Sequence, residues 1–201
     1  MIRMRIFLPQ IALLVLTLAL AGCAGTVKNM RVASPDAIVT SPQEGKALVI
    51  FMRPSTLGNA IQSSVFEIID DNPELAGIVA AKKQVAYLVE PGEHLFMVIG
   101  ESADFMSADL AADKTYYAYV TPRMGVWKAR FSLKPLTHVE LETDEFKTCQ
   151  SSCEWVELSA ESANWASSNI DDIRSKQQKY YAKWMSKPET ERPRLYSTDG
   201  I

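Results

Sequence analysis

The chain has 201 residues, with 21 basic and 24 acidic side chains and a formal net charge of −3. This scattered acidic balance argues against nucleic acid as a partner and against a polybasic contact with anionic lipid. The length suffices for one domain of ordinary size with an appendage.

The N-terminus has the pattern of a secretory signal. Arg3 and Arg5 precede residues 6–20, a stretch of 15 almost wholly apolar residues, and no acidic residue occurs before Asp36. Such a stretch has the length of a signal-peptide hydrophobic region and is short for a helix spanning about 30 Å of hydrocarbon. We therefore predict that residues 1–22 are a signal peptide. An uncleaved membrane helix is the alternative.

Residues 20–23, Leu-Ala-Gly-Cys, close this segment and resemble the lipobox of bacterial lipoproteins. The resemblance implies cleavage between Gly22 and Cys23 and attachment of diacylglycerol and an N-acyl chain to Cys23, with no other cofactor. Each buried methylene contributes about 0.8 kcal/mol, so two or more chains anchor stably. Ala24 stands where an inner-membrane retention signal would have Asp, which favours the outer membrane, facing the periplasm.

The chain after the signal peptide divides into a linker and a strand-rich region. Its formal net charge is −5, since the 22 removed residues carry two arginines and no acid. Residues 23–45 contain two Ser-Pro steps and predict a lipidated tether that lifts the domain from the membrane. Alternating or β-branched apolar runs then predict short strands at 47–53, 65–70, 79–81, 85–89, 95–99, 115–121, 127–133 and 139–141.

Turn signals separate these runs. Asp-Asn-Pro at 71–73 predicts a turn, and Glu-Pro-Gly-Glu at 90–93 predicts a hairpin between its flanking strands. Six to eight short strands without an intervening helix predict a mainly β domain over residues 46–145, an antiparallel β-sandwich or barrel, with the sandwich preferred.

A cysteine pair follows the strands. With Cys23 assigned to lipid, Cys149 and Cys153 remain as an even pair in an exported protein, which predicts a disulfide. A redox-active pair, half a metal site and free thiols are the alternatives.

A helical pattern follows the cysteines and completes the predicted segment 146–187. Apolar residues recur at three- and four-residue spacing from Ala163 to Trp184, which predicts one C-terminal amphipathic helix. This helix either packs on the sandwich or binds a partner or a second copy; lying on the membrane fits its mixed charge less well. Residues 188–201 are predicted to be a disordered tail.

Three segments together resemble an uncharacterised family of small bacterial lipoprotein domains, a domain of unknown function. They are a strand ending in Arg-Pro at 47–54, a Pro-Gly-x-His turn at 89–94 and a strand opening Lys-Thr-Tyr-Tyr at 113–120. The resemblance covers about residues 45–140. It implies a β-sandwich and an envelope location, with no catalytic residues to transfer.

Few residues suggest chemistry. His94 is expected to cap the hairpin or contact solvent, and His138 lies in a connecting segment; neither has metal ligands at suitable spacing, so we expect no metal site. The common catalytic motifs are absent, so we name no catalytic residue. Arg53, at the end of an apolar strand, is expected to cap an edge or pair with an acid such as Glu67, or else to contact an anionic group in a partner.

These patterns predict a non-enzymatic envelope lipoprotein, anchored by lipid, that binds or scaffolds another envelope protein of unknown identity. An envelope enzyme or small-ligand carrier with a pocket on the sandwich is the alternative, and a mainly structural surface protein is a third possibility.

Overall fold

The computed structural model describes residues 27–123 and 130–201. The signal peptide, Cys23 and the first three residues of the predicted strand 127–133 lie outside these residues. The strands are β1 (Met30–Val32), β2 (Ala47–Arg53), β3 (Ser63–Ile69), β4 (Asn72–Val79), β5 (Lys83–Val89), β6 (Gly92–Ile99), β7 (Ala103–Leu110), β8 (Thr115–Arg123), β9 (Arg130–Pro135), β10 (Glu154–Leu158) and β11 (Arg194–Leu195). The helices are α1 (His138–Leu141), α2 (Asp144–Ser152), α3 (Ala160–Ser168) and α4 (Ile170–Met185), with short 3-10 turns at Pro35–Ala37 and Glu189–Glu191.

The strands form two mixed sheets. A six-stranded sheet has the order β1-β10-β5-β2-β8-β9, and a five-stranded sheet has the order β11-β7-β6-β3-β4. The mainly β prediction is confirmed, but the purely antiparallel arrangement is wrong, since β2 and β8, β5 and β10, and β7 and β11 pair in parallel. The number of strands was also underestimated: β1, β10 and β11 are only two to five residues long, and β7, with eight residues, was not predicted.

The central strand β2 is buried on both faces. Ala47, Val49 and Phe51 point into a core shared with the five-stranded sheet, where the rings of Phe51 and Phe96 lie 5.3 Å apart. The alternate side chains of β2 pack on α1 and α2 from the other side. This two-sided burial explains why β2 is apolar at every position before Arg53, as is typical of strands covered on both faces.

The single predicted helix is two helices, α3 and α4, broken at Asn169. The Asn169 side-chain amide donates to the carbonyl of Trp165 at 2.7 Å, which ends α3. Beyond the break, α4 packs Ile173 and Trp184 on the outer face of the five-stranded sheet. None of the helices in residues 27–123 and 130–201 has the length and apolarity needed to cross a bilayer.

Helix α1 replaces the predicted last strand at 139–141. The backbone N–H of Thr137 and the side chain of Glu140 form a capping box, in which the carboxylate accepts from that N–H at 3.0 Å. The Thr-x-x-Glu signal therefore outweighed the β-branched residue Val139. Thr143 caps the following helix in a similar way.

The predicted hairpin at 90–93 is instead a crossover between the sheets. Strand β5 pairs with β2 along its whole length and with β10 only at Lys83 and Gln84, whereas β6 pairs with β3 and β7 of the other sheet. Gly92, at φ 131°, allows the change of direction. The predicted strand 79–81 is also misplaced: β4 covers Asn72–Val79 and includes Pro73, which is tolerated because β4 is an edge strand with one neighbour.

Both segments predicted to be irregular contain paired backbone. Within the predicted tether, Val27 is buried and β1 pairs with β10. Within the predicted disordered tail, β11 pairs with β7, Leu195 is fully buried, and Ile201 exchanges two backbone hydrogen bonds with Thr115. The low overall hydrophobicity of these segments hid this order, because each is held by a few buried apolar residues, such as Val27 and Leu195, together with backbone pairing to a distant strand.

Candidate functional site

A groove of about 700 Å³ opens between the two sheets at the end where β2 begins. Three strands place polar side chains that contact one another there: Glu67 of β3, Tyr87 of β5 and His94 of β6. We call these three residues the polar cluster. The other residues lining the groove are Gln43, Lys46, Ile68, Ile69, Asp70, Leu88, Val89, Glu90 and Glu93.

Glu67 is the centre of the polar cluster and is 6% exposed. The Tyr87 hydroxyl donates to its Oε2 at 2.7 Å, and His94 Nδ1 lies 2.5 Å from its Oε1. The other ring nitrogen of His94 lies 2.8 Å from the carbonyl oxygen of Glu90. A carboxylate and a carbonyl only accept hydrogen bonds, so both ring nitrogens must donate. The geometry therefore fits a positively charged imidazolium bound to a buried carboxylate.

The pKa values of the polar cluster move in the directions that this charge pair requires. Burial acts to lower the pKa of His94, but the hydrogen bond and charge of Glu67, with the Glu90 carbonyl and the Glu93 charge, raise it overall. Burial acts to raise the pKa of Glu67, but hydrogen bonds from His94 and Tyr87 and the His94 charge lower it overall. Burial and the adjacent carboxylate raise the pKa of Tyr87, which keeps the phenol protonated.

The local sequence explains how the cluster forms at the end of an apolar core. Glu67 follows Val65 two residues later on β3, and His94 precedes Phe96 by two on β6, so the polar side chains continue the inward faces of their strands. The His94 ring stacks on Phe96, with centroids 6.0 Å apart and planes inclined by 16°. Polar residues at inward positions of three strands were the sequence signal for this cluster, and it was missed.

The rim of the groove is rich in carboxylates. Glu90 is exposed and forms an ion pair with Lys46. Glu93 accepts from Arg194 at 2.6 Å, and Asp70 is exposed beside them in a turn with φ 49°. The groove thus places carboxylates, of which Glu90 and Glu93 are paired and Asp70 is exposed, beside the apolar side chains of Ile68 and Leu88, a surface that suits a partner with basic and apolar side chains.

Several polar side chains of the groove are hydrogen-bonded or ion-paired with neighbouring groups of the protein. Both ring nitrogens of His94 are bonded, the Tyr87 hydroxyl is bonded to Glu67, and Lys46 is bonded to Glu90. A general base needs a free lone pair within reach of a substrate proton, and these contacts leave none on His94. Across the described residues, no group of three or more His, Cys, Asp or Glu side chains is arranged to hold a metal ion.

Arg53, expected at a surface edge or paired with Glu67, is fully buried and contacts neither solvent nor that acid. Its guanidinium donates to the carbonyl oxygens of Ile61 at 2.6 Å and of Leu57 and Gly58 at 2.8 Å each. It also lies over the Phe131 ring, 4.8 Å from the centroid. Arg53 therefore organises the loop 54–62, and its guanidinium offers no exposed surface to a partner.

A second polar cluster stabilises the outer helix. Asp104 on β7 is 5% exposed and pairs with Arg123 at 3.2 Å and with Lys187, just after α4, at 3.5 Å. The same residues line a small cavity of about 130 Å³ with Trp184. A buried carboxylate with two cations here ties β8 and the end of α4 to β7.

The other predicted residues lie apart from the groove. The sulfurs of Cys149 and Cys153 are at disulfide bonding distance, 2.02 Å, at the C-terminal end of α2, where both residues are buried against β2. His138 is the first residue of α1, and its Nε2 lies 2.8 Å from the carbonyl oxygen of Thr198. Tyr117 of β8 packs edge-on against Phe146 of α2.

Comparison with models of known protein families gives no match for this chain, and comparison with curated proteins gives none either.

Proposed function

We propose that this protein is a bacterial lipoprotein of the outer membrane, anchored through lipid on Cys23 and facing the periplasm, whose ordered domain binds another envelope protein. The observation that carries the proposal is the Leu-Ala-Gly-Cys sequence at 20–23 behind a short apolar segment and two arginines. The Cys149–Cys153 pair supports export, because disulfides persist in oxidising compartments.

The anchor is tested by labelling cells with a radioactive fatty acid and separating membranes from soluble protein. The wild-type chain is expected to carry label and to remain with the membranes, whereas Cys23→Ser loses the label and most of its membrane association. The matched control is the double variant Cys149→Ala with Cys153→Ala, which removes the other two cysteines. It is expected to keep both the fatty-acid label and the membrane association. Label on a Cys23→Ser chain contradicts the proposal.

Binding rather than catalysis is supported by the groove. Its polar cluster is paired internally, and the exposed Asp70 with the paired Glu90 and Glu93 lies beside the apolar side chains of the groove, which are Ile68, Leu88 and Val89. A partner segment with basic and apolar side chains would complement both parts. The proposed role is therefore recognition of a basic, partly apolar segment of an envelope protein.

Partner recovery after crosslinking in cells tests this role. The variant Asp70→Lys with Glu90→Lys reverses two exposed charges on the rim and is expected to reduce recovery of the partner at least tenfold. Glu142→Lys with Glu191→Lys makes the same change in charge at exposed sites away from the groove and is expected to leave recovery unchanged. Equal recovery with both variants removes the groove as the binding surface.

A small-ligand carrier or envelope enzyme is the second candidate, because the volume of the groove falls in the range of about 300–1,000 Å³ common for small-molecule sites. Native mass spectrometry of protein purified from membranes distinguishes it. A bound small molecule that is lost in Tyr87→Phe or the charge-reversed rim variant, without a recovered protein partner, favours this candidate.

A further inference from the structure

The loop 54–62, between β2 and β3, exposes two aliphatic side chains among uncharged residues. It contains no charged residue, and its apolar side chains Leu57 and Ile61 are 52% and 42% exposed. Entry of such a loop into the lipid interface removes apolar surface from water without removing a charge.

The buried side chain of Arg53 holds the conformation of this loop through hydrogen bonds to its backbone. Its guanidinium binds three loop carbonyls, which are those of Leu57, Gly58 and Ile61. Gly58 has φ +65°, so the chain reverses there. The buried cation therefore satisfies backbone groups inside the loop while both aliphatic side chains stay outside. A loop that is preorganised in this way loses less conformational entropy when it binds.

The base of the loop lies beside the first described residues. With its amide oriented to match donors and acceptors, Gln62 accepts from the Lys28 N–H at 2.6 Å and donates to the Lys28 carbonyl at 3.3 Å. Val27, which precedes Lys28 in the sequence, is buried, and Cys23 lies four residues before Val27. Four residues span at most about 14 Å when fully extended. A lipid on Cys23 is therefore held within that distance of this side of the domain.

We propose, resting on the lipidation of Cys23, that the loop 54–62 faces the bilayer and inserts Leu57 and Ile61 among the lipid headgroups. The exposed Lys82, whose N–H donates to the Arg53 carbonyl at 2.8 Å, lies beside the loop, and Glu101 lines a pocket with Ile61 on its other side, so the proposed contact depends on the two aliphatic side chains rather than on charge. The groove with Glu67 and His94 lies at the opposite end of β2, about 20 Å away along the strand. Membrane contact at one end would thus direct the groove toward the periplasm.

The test uses the lipidated full chain in vesicles of phosphatidylethanolamine and phosphatidylglycerol. Leu57→Cys supplies a free thiol, since the other cysteines are the lipidated Cys23 and the Cys149–Cys153 pair. An environment-sensitive dye on this thiol is expected to shift to shorter wavelength on reconstitution, and a quencher near the lipid headgroups is expected to reduce its emission at least twofold. Val139→Cys is the matched control, because Val139 is 79% exposed on α1, far from the loop.

The outcomes separate this inference from the proposed function. A chain that carries fatty acid and stays with the vesicles, but whose dye at residue 57 behaves like the dye at residue 139, overturns the inference and leaves the lipoprotein proposal intact. A spectral shift at residue 57 without lipid quenching also overturns it and indicates that the loop contacts a second copy of the chain. A chain without fatty acid on Cys23 overturns both proposals.

Discussion

Glu67 and His94 lie on the neighbouring strands β3 and β6 and form a buried pair, with 2.5 Å between carboxylate Oε1 and ring Nδ1. The side chains are 8% and 10% exposed, so solvent screens their interaction little. Removal of either partner leaves the other charge buried and uncompensated. The pair therefore links the stability of the groove to pH.

We expect the contribution of this pair to the free energy of unfolding to be greatest between about pH 4.5 and 6.5. The pKa of His94 is raised from its ordinary 6.5, so its contribution is full below 6.5 and is lost as pH rises through the raised value. The pKa of Glu67 is lowered from 4.5, so its contribution is full above 4.5 and is lost as pH falls through the lowered value. Urea unfolding measured from pH 3 to pH 9 checks this profile.

Variants identify the residues responsible for the profile. His94→Gln is expected to cost about 2 kcal/mol at pH 5.5, since it leaves Glu67 buried without its cation, and to remove the loss above pH 6.5. Tyr87→Phe removes one hydrogen bond to Glu67 but keeps the charge pair, so the loss above pH 6.5 is expected to remain. An unchanged pH profile in His94→Gln contradicts the charged state that we assign.

Arg53 is expected to be a stability residue. Arg53→Met leaves three loop carbonyls without their donor and is expected to lower the free energy of unfolding by about 2–4 kcal/mol, with faster amide exchange in 54–62. Arg31→Met is the control: Arg31 is 65% exposed in a surface ion pair, and its loss is expected to cost less than about 1 kcal/mol. If Arg53→Met unfolds like the wild type but loses a partner, the partner-contact hypothesis is restored.

The sequence predicted elements best where burial and periodicity agreed. The strand β2 was predicted with its observed bounds, Ala47–Arg53, because its side chains are apolar up to the Arg-Pro step. The alternation of Phe131 and Leu133 with exposed residues was also predicted, and both are buried on β9. In both strands the apolar pattern of the sequence agrees with the burial of the side chains in the fold.

The errors arose where pairing between distant segments decides the outcome. The Pro-Gly turn at 91–92 is compatible with a hairpin, but β6 leaves β5 and pairs with β3 and β7 of the other sheet, a choice that the turn residues do not encode. Likewise, Arg53 at the end of a strand fits a surface position by sequence. The carbonyl groups that bind Arg53 belong to the loop 54–62, and the pattern of apolar residues in this loop does not predict its conformation. The polar cluster needs three strands to converge, so no single segment predicts it.

Packing of α4 on its own domain leads to a separate prediction. Trp184 is 5% exposed, and its ring lies 5.9 Å from that of Phe105 on β7. Trp184→Ala is expected to lower the free energy of unfolding of the isolated protein by about 3–5 kcal/mol through the cavity it leaves. Met185→Ala, at a residue 45% exposed on the same helix, is expected to change it by less than about 0.5 kcal/mol. If Trp184→Ala unfolds at the same midpoint urea concentration as the wild type, the packing of α4 on the sheet is contradicted.

The order of the C-terminal segment depends on the absence of a side chain at Gly200. A Cβ atom there would lie 2.6 Å from Cζ of the buried Tyr116 and 3.0 Å from Cβ of Lys114. Gly200→Ala is therefore expected to displace this segment and to lower the free energy of unfolding by about 1–3 kcal/mol, with increased protease cleavage after Pro193. Thr198→Ala is the control, because Thr198 is exposed and offers only its backbone carbonyl to His138. Equal protease resistance of both variants would show that a Cβ atom at position 200 is accommodated without displacing the segment.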